Sequence, residues 1–432
     1  MIDPAMIDRS QQPPIHDLDE FRLKAPQRYV LPNGVKLWVL DSGDVEVTRI
    51  DLVINAGRHH QSHLLQALFT NRMLREGTTR FSRAQIAEQL DFHGAWMEQN
   101  VSFEHSYISL YTLNKHLKTT IGLLAQMVKE PLFDAQVLEV VKQNNLQRFL
   151  TALQQPNAQA RRLFKRAIYG QHLLCDMADA PDYKAANVEM LKEFHRQWYH
   201  SGNLSIYLAG RITDDCIELI NQTFGEPFGE GQQGGEIYQG TIPQPFHQQL
   251  FKEMPGTAQS SVLIGKSTIN LLHPDFLKLR VLITLLGGYF GSRLMTTIRE
   301  EKGMTYGIYS VLNPSPYDNA LMILSDCDHR FVKPLLAETY HQIERLQNEL
   351  VGEEELTLVR NSMKGELLRS YDSCLSISDA WIFMHTLGLS DDYFYRSWQA
   401  ITTVTPAELQ RLACTYLTKD TLTEIVAGEK MS

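Results

Sequence analysis

Val188-Glu189-Met190-Leu191-Lys192-Glu193-Phe194-His195, followed by Asn203-Leu204-Ser205-Ile206-Tyr207-Leu208-Ala209-Gly210, aligns without gaps to a second stretch of the same chain. That stretch is Pro406-Ala407-Glu408-Leu409-Gln410-Arg411-Leu412-Ala413, followed by Thr421-Leu422-Thr423-Glu424-Ile425-Val426-Ala427-Gly428. The offset, from 188 to 406, is 218 residues. Each copy reads as a helix leading to a strand that ends in Ala-Gly, and so long a period means duplicated domains and not a solenoid. The run 225–244 is rich in glycine and carries Pro227 and Pro243, the composition of a linker. The chain therefore divides into a polar tail over 1–25, a first domain over 26–225, a linker over 226–244 and a second domain over 245–432.

Outward from the repeat, the first half opens with two strand-like runs over 29–40 around Pro32-Asn33-Gly34, a hairpin signal. A strand follows over 47–56. Helical stretches come near 62–75 and 83–93, the second opened by a Ser82/Gln85 capping box. Strands over 94–100 and 104–112 precede a helix capped by Asn114 that runs to about 129, and a longer helix over 134–153 ends before Pro156. Strands and helices in this order predict an α+β fold, with helices on one face of a largely antiparallel sheet in each half.

At 432 residues the chain is too long for one ordinary core. Its 43% apolar and 21% charged residues are those of a globular protein, and a net charge of −9 argues against nucleic acid or an anionic membrane as partner and for a neutral or peptide-like one. Five cysteines at 175, 216, 327, 374 and 414 have no CxxC spacing, which fits buried thiols in a reducing compartment. With no apolar N-terminal region and no run long enough to span a bilayer, the expected location is cytoplasmic, or periplasmic where a signal peptide has been removed.

In the second half, Gly287-Gly288-Tyr289-Phe290-Gly291-Ser292-Arg293 reads as a glycine-rich turn before a short helix and a strand. Gly287, Gly288 and Gly291 would let the backbone take left-handed angles and come close to another chain, with Ser292 as N-cap. Leu294 and Ile298 share a buried face. Arg299 near the helix end and Tyr306 beyond the Gly303 break would point into one space, as two donors for a peptide carbonyl or its oxyanion. Taken alone, they also fit an ion-paired arginine and a core tyrosine. The run Glu353-Glu354-Glu355 reads as a helix start. No phosphate loop or nucleophile elbow is present.

Leu31-Pro32-Asn33-Gly34, Met73-Leu74 with Gly77-Thr78, Gly94 before its strand, and Ile298-Arg299-Glu300-Glu301-Lys302-Gly303-Met304-Thr305-Tyr306 together resemble the insulinase/pitrilysin-like zinc metallopeptidases. The resemblance is to the bacterial half-length members related to mitochondrial processing peptidase, and it covers about residues 26–429. In catalytic members a helix carries His-x-x-Glu-His just before the Met-Leu pair, with a distal Glu as third zinc ligand. Here those five positions are Leu68, Phe69, Thr70, Asn71 and Arg72, and the distal helix reads Leu146-Gln147-Arg148-Phe149. An aliphatic chain, an amide and a guanidinium leave no usual zinc site, so no cofactor is expected on this chain. His59, His60 and His63 are the only tight histidine cluster; the 59/63 spacing suits one helix face, while the resemblance puts them in the loop before the helix.

The resemblance further implies that Arg299 and Tyr306 contact the substrate carbonyl. Several bacterial relatives divide the work between one chain with the zinc motif and another with the Arg/Tyr pair, and this sequence looks like the second kind. The expected partners are a homologous subunit with an intact motif and an extended peptide bound by strand pairing, with homodimers of the isolated chain unsurprising. Two alternatives stand beside this: a scaffolding protein that keeps the fold without peptidase work, and an independent peptidase with a metal relocated to the His59/His60/His63 cluster.

Overall fold

A computed structural model describes residues 10, 21–43, 45–234, 242–315 and 317–430. Six strands form the first sheet: β1 Gln27–Val30, β2 Lys36–Asp41, β3 Val47–Ile54, β4 Trp96–Val101, β5 Ser106–Leu113 and β6 Leu204–Gly210. Five form the second: β7 Gln248–Glu253, β8 Ser260–Thr268, β9 Thr305–Asn313, β10 Asn319–Cys327 and β11 Thr423–Gly428. The orders are β1-β2-β6-β3-β5-β4 and β7-β11-β8-β10-β9. Apart from β1 the two are the same sheet built twice. The repeated strands β6 and β11 hold equivalent places, each parallel to β2 or β7 on one side and antiparallel to β3 or β8 on the other. The α+β class and the duplication are thus as the sequence indicates.

The two-residue period of the strands assigns two faces to each sheet. Ile50, Leu52 and Ile54 of β3 join Leu37, Ile108 and Leu208 in a core under the helices of the first half. Arg49, Asp51 and Val53 face the other way. What covers that second face is a helix from the other half, Cys374–Thr386, whose Ile382 packs on Val53 and Tyr207. The second sheet repeats the arrangement. Its inner residues Val262, Ile264, Leu321 and Ile323 face its own helices, while Leu263, Ala320, Ile425 and Ala427 receive Ala160, Phe164 and Ile168 of the helix Pro156–Tyr169. The exchanged helices begin at 156 and 374, the same 218-residue offset as the repeat. Each half's own helices lie on one face of its sheet, as expected, and in addition each half lends the other a cover for its second face.

Local signals account for most of the element ends. Gly34 takes φ 87° to close the β1–β2 turn, and Asn33 Nδ2 donates to the carbonyls of Phe224 and Glu226. The Ser82/Gln85 capping box opens the helix Arg83–Phe92, and Asp134 caps Ala135–Ala152. Glu353–Ser370 is a helix. Asn114 is not the cap expected of it; its side chain accepts from Thr48 Oγ1 and donates to the Arg211 carbonyl, tying strands together while the helix Leu117–Lys129 starts from a 3₁₀ turn.

Of the tail, residues 21–25 are described. Phe21 is buried among Trp398 and its neighbours, and Trp381 Nε1 donates to the Lys24 carbonyl at 2.9 Å. Most of 1–20 and the linker segment 235–241 lie outside the described residues. The linker as far as 234 runs along the first half, with Gln232 N donating to Gln197 O and Gly234 N to Asn203 Oδ1. The cysteines are free, but only Cys216 and Cys327 are buried; Cys414 is exposed. Among the described residues no helix is long and apolar enough to cross a membrane.

Candidate functional site

The glycine stretch sits beneath the edge strand β9, and its glycines serve close approach and not left-handed backbone. None of Gly287, Gly288 and Gly291 has a positive φ. A Cβ on Gly287 would lie 2.7 Å from Ser310 N and 2.8 Å from Ser310 Oγ, so the approach is to β9 of the same chain. Ser292 does not cap: its carbonyl accepts from Thr296 N, while its buried Oγ has no hydrogen-bond partner. Arg293 anchors the turn with a bidentate pair to Glu355 at 2.8 and 2.9 Å.

The helix that follows is wider than an α-helix. Met295–Glu301 winds with π geometry: Lys302 N reaches back five residues to Thr297 O, and Met304 N reaches Ile298 O. The buried Leu294, Met295 and Ile298 hold it against the core. One extra residue in the final turn carries Arg299 to the surface, and Gly303 at φ 58° reverses the chain into β9.

Tyr306 is presented by a second irregularity. The β9–β10 register shifts between Ser325↔Ile308 and Cys327↔Thr305, a bulge at the start of β9. Thr305 Oγ1 holds the bulge, donating to Asp326 O at 2.7 Å and accepting from Gly307 N at 3.1 Å. Tyr306 is 92% exposed, which removes the core-tyrosine reading. Both Arg299 and Tyr306 line an open cleft of about 780 Å³ together with Phe290, Met304 and Arg330. The Arg299 guanidinium lies over the Phe290 ring, with the nearest carboxylate, Glu300, at 3.6 Å. The sequence motifs do not single out Phe290 or Thr305 for a role; an aromatic among three glycines is the signal that marks the first.

The five positions of the zinc motif fall on the helix Gln66–Met73, where Phe69, Thr70 and Asn71 are buried and Leu68 and Arg72 partly exposed. These side chains do not fit a zinc ion: none of Leu68, Asn71 and Arg72 offers an imidazole or carboxylate. The histidine cluster lies apart. Arg58–His60 is a 3₁₀ turn and His63 follows in an exposed turn, so 59 and 63 share no helix face, contrary to their spacing. The His59 and His60 rings lie 3.6 Å apart, tilted by 41°, and His60 stacks on Trp198 at 4.0 Å. Burial, then His59 and His105, pushes the His60 pKa down to about 3; burial, then His59, pushes His105 down to about 4. Among the described residues no three His, Cys, Asp or Glu side chains converge as a metal-binding group.

Two family models match this chain, the insulinase (peptidase family M16) model over residues 39–176 and the peptidase M16 inactive domain model over 185–363. The chain belongs to peptidase family M16. Its relatives include an uncharacterized zinc protease of Bacillus subtilis, 24% identical over 80% of this chain and 85% of the relative. A non-peptidase homolog of Helicobacter pylori is 26% identical over 55% of each chain. The M16 fold is shared with the peptidase M16 inactive domain structure from Pseudomonas fluorescens, at a TM-score of 0.84 and 23% identity over 94% of this chain and 99% of that one. A protease structure from Helicobacter pylori gives 0.86 at 15% identity, covering 94% of this chain and 100% of that one.

Proposed function

We propose that this M16 chain is the substrate-binding, non-catalytic subunit of a two-chain zinc peptidase. One observation carries the reading: one half offers Arg299 and Tyr306 to an open cleft, while the other has Leu68, Asn71 and Arg72 where metal donors would stand. On this reading a homologous partner supplies zinc and the water-activating Glu, and this chain holds no zinc. Arg299 and Tyr306 donate to the carbonyl of an extended peptide and to the oxyanion that develops from it. The outer edge of β9, unpaired among the described residues, supports a reading in which the peptide adds by backbone pairing. A relative described as a non-peptidase homolog supports a non-catalytic role for some members.

The test is co-expression with a homologous chain that has an intact His-x-x-Glu-His, followed by peptide turnover. Arg299→Ala and Tyr306→Phe should each lower turnover by the mixed complex by roughly 10²-fold. Unchanged turnover in both variants sinks the assignment. Stoichiometric zinc together with hydrolysis by this chain alone overturns the subunit reading.

A further inference from the structure

Arg72 shares its surroundings with two more unpaired cations. The helix Gln66–Met73 carries Arg72, and Arg75 follows in the next turn; the helix Ala135–Ala152 presents Asn144 and Arg148 from the other side, and β4 adds Gln99. Together they line an open cleft of about 330 Å³. Arg83 also reaches it, but is engaged by Glu76 at 3.0 Å. Among the described residues Arg72, Arg75 and Arg148 have no carboxylate within ion-pair distance. Four guanidinium groups against one carboxylate leave a local excess of positive charge on a chain whose net charge is −9. Burial, then the like charge of Arg148, holds the Arg72 pKa below its ordinary value, so the two guanidinium groups repel one another.

We propose that this cleft is an oxyanion site for a carboxylate of an extended peptide, a terminal carboxylate or an acidic side chain, gripped by Arg72 and Arg148. A guanidinium presents a planar fork that matches a carboxylate in two parallel hydrogen bonds, and a group with no internal counter-charge keeps that fork free. A peptide is the favoured carrier for two reasons. Gln99 lies on β4, the edge strand of the first sheet, whose outer edge is open to an added strand. The helix bearing Arg148 also leads to the seam lined by Gln154, Gln155, Ala258 and Gln259, and the last two line the Arg299/Tyr306 cleft as well. From 148 to the end of that helix at Ala152 the rise is only about 6 Å, and Gln154 lies two residues further on. The inference rests on the peptide-binding reading above and adds the charge of the peptide to it.

Titration calorimetry on the full chain tests it. The probes are a hexapeptide with a free C-terminal carboxylate, its C-amidated twin, an amidated twin with one internal Glu, and inorganic phosphate. At least one carboxylate-bearing peptide should bind about 10-fold or more tighter than the neutral amide. Arg72→Gln and Arg148→Gln should erase that preference without weakening the amide, and salt should erode it. Without peptide both variants should melt at or above the wild-type temperature, because repulsion is relieved, and the carboxylate peptide should raise the melting temperature of the wild type alone. Equal affinity for all three peptides overturns the site, and phosphate binding tighter than any of them overturns the peptide as its ligand. These differences are read on this chain by itself, so they fail separately from turnover by the mixed complex.

Discussion

The guanidinium carbon of Arg299 stands 4.6 Å from the centroid of the Phe290 ring. The ring comes from the glycine turn and the cation from the π-wound helix, so Phe290 sets where the arginine tip rests over the cleft. An exposed cation–π contact contributes about 0.5–1 kcal/mol, which corresponds to roughly two- to fivefold. On the proposed two-chain reading, Phe290→Ala should therefore lower turnover by the mixed complex by about that factor, while Phe290→Tyr restores it. Phe290 is 64% exposed, so the thermal midpoint should not move. A large fall in stability would show the ring to be structural.

Gly287→Ala tests the packing under β9. Its new methyl would meet the backbone of Ser310, whose hydroxyl is already committed to Ile283 O at 2.6 Å, and rigid backbone cannot give way. Urea unfolding should show a loss of about 1–3 kcal/mol. At Gly303, with φ 58°, an added methyl would meet nothing within 4 Å, so a substitution there is strained by conformation alone. Asn, which tolerates left-handed backbone, should cost less than Ala at that position.

Arg49 joins the halves through charge. Its Nε donates to Asp51 at 2.8 Å and its Nη2 to Asp379 of the exchanged helix at 2.6 Å. Arg49→Met leaves Asp51 buried without its cation and should cost about 3–5 kcal/mol. The Asp379 side chain is 63% exposed, so Asp379→Asn should cost no more than about 1 kcal/mol. Equal effects in denaturant titrations would contradict this ranking.

Asp318 makes stability depend on pH near neutrality. Burial pushes its carboxyl up to about 7, although it accepts from the backbone amide of Thr268. The folded pKa lies above the unfolded one, so the folded state binds the extra proton. The associated stability is complete below about pH 4 and is lost as pH rises through about 7. Asp318→Asn should match the wild type at pH 4 and exceed it at pH 8 in denaturant midpoint. A variant that loses stability equally at both would show that the shape of the side chain matters and its charge does not.

Features written in short-range chemistry are legible in the sequence. The Ser82/Gln85 box, the Pro-Asn-Gly hairpin and the repeated helix-strand units are each fixed by neighbours within a few residues. What the sequence does not disclose depends on distant packing. The face of Pro156–Tyr169 made by Ala160, Phe164 and Ile168 is visibly apolar, yet nothing in it says which sheet it meets. The π winding at Met295–Glu301 follows from how Leu294, Met295 and Ile298 must seat in the core. The outward turn of Tyr306 depends on the Thr305 hydroxyl. Asn114 departs from its expected capping role because its side chain finds partners remote in sequence, Thr48 of β3 and the Arg211 carbonyl just past β6.

The exchanged helices mean that this single chain has the architecture of an intertwined pair. Cut within the linker, neither piece could shield both faces of its sheet, since Phe164 would leave with one fragment and Ile382 with the other. Each fragment would be a template for recapturing its counterpart or for sticking to another copy of itself. The peptide tether between the halves thus fixes their stoichiometry at one to one.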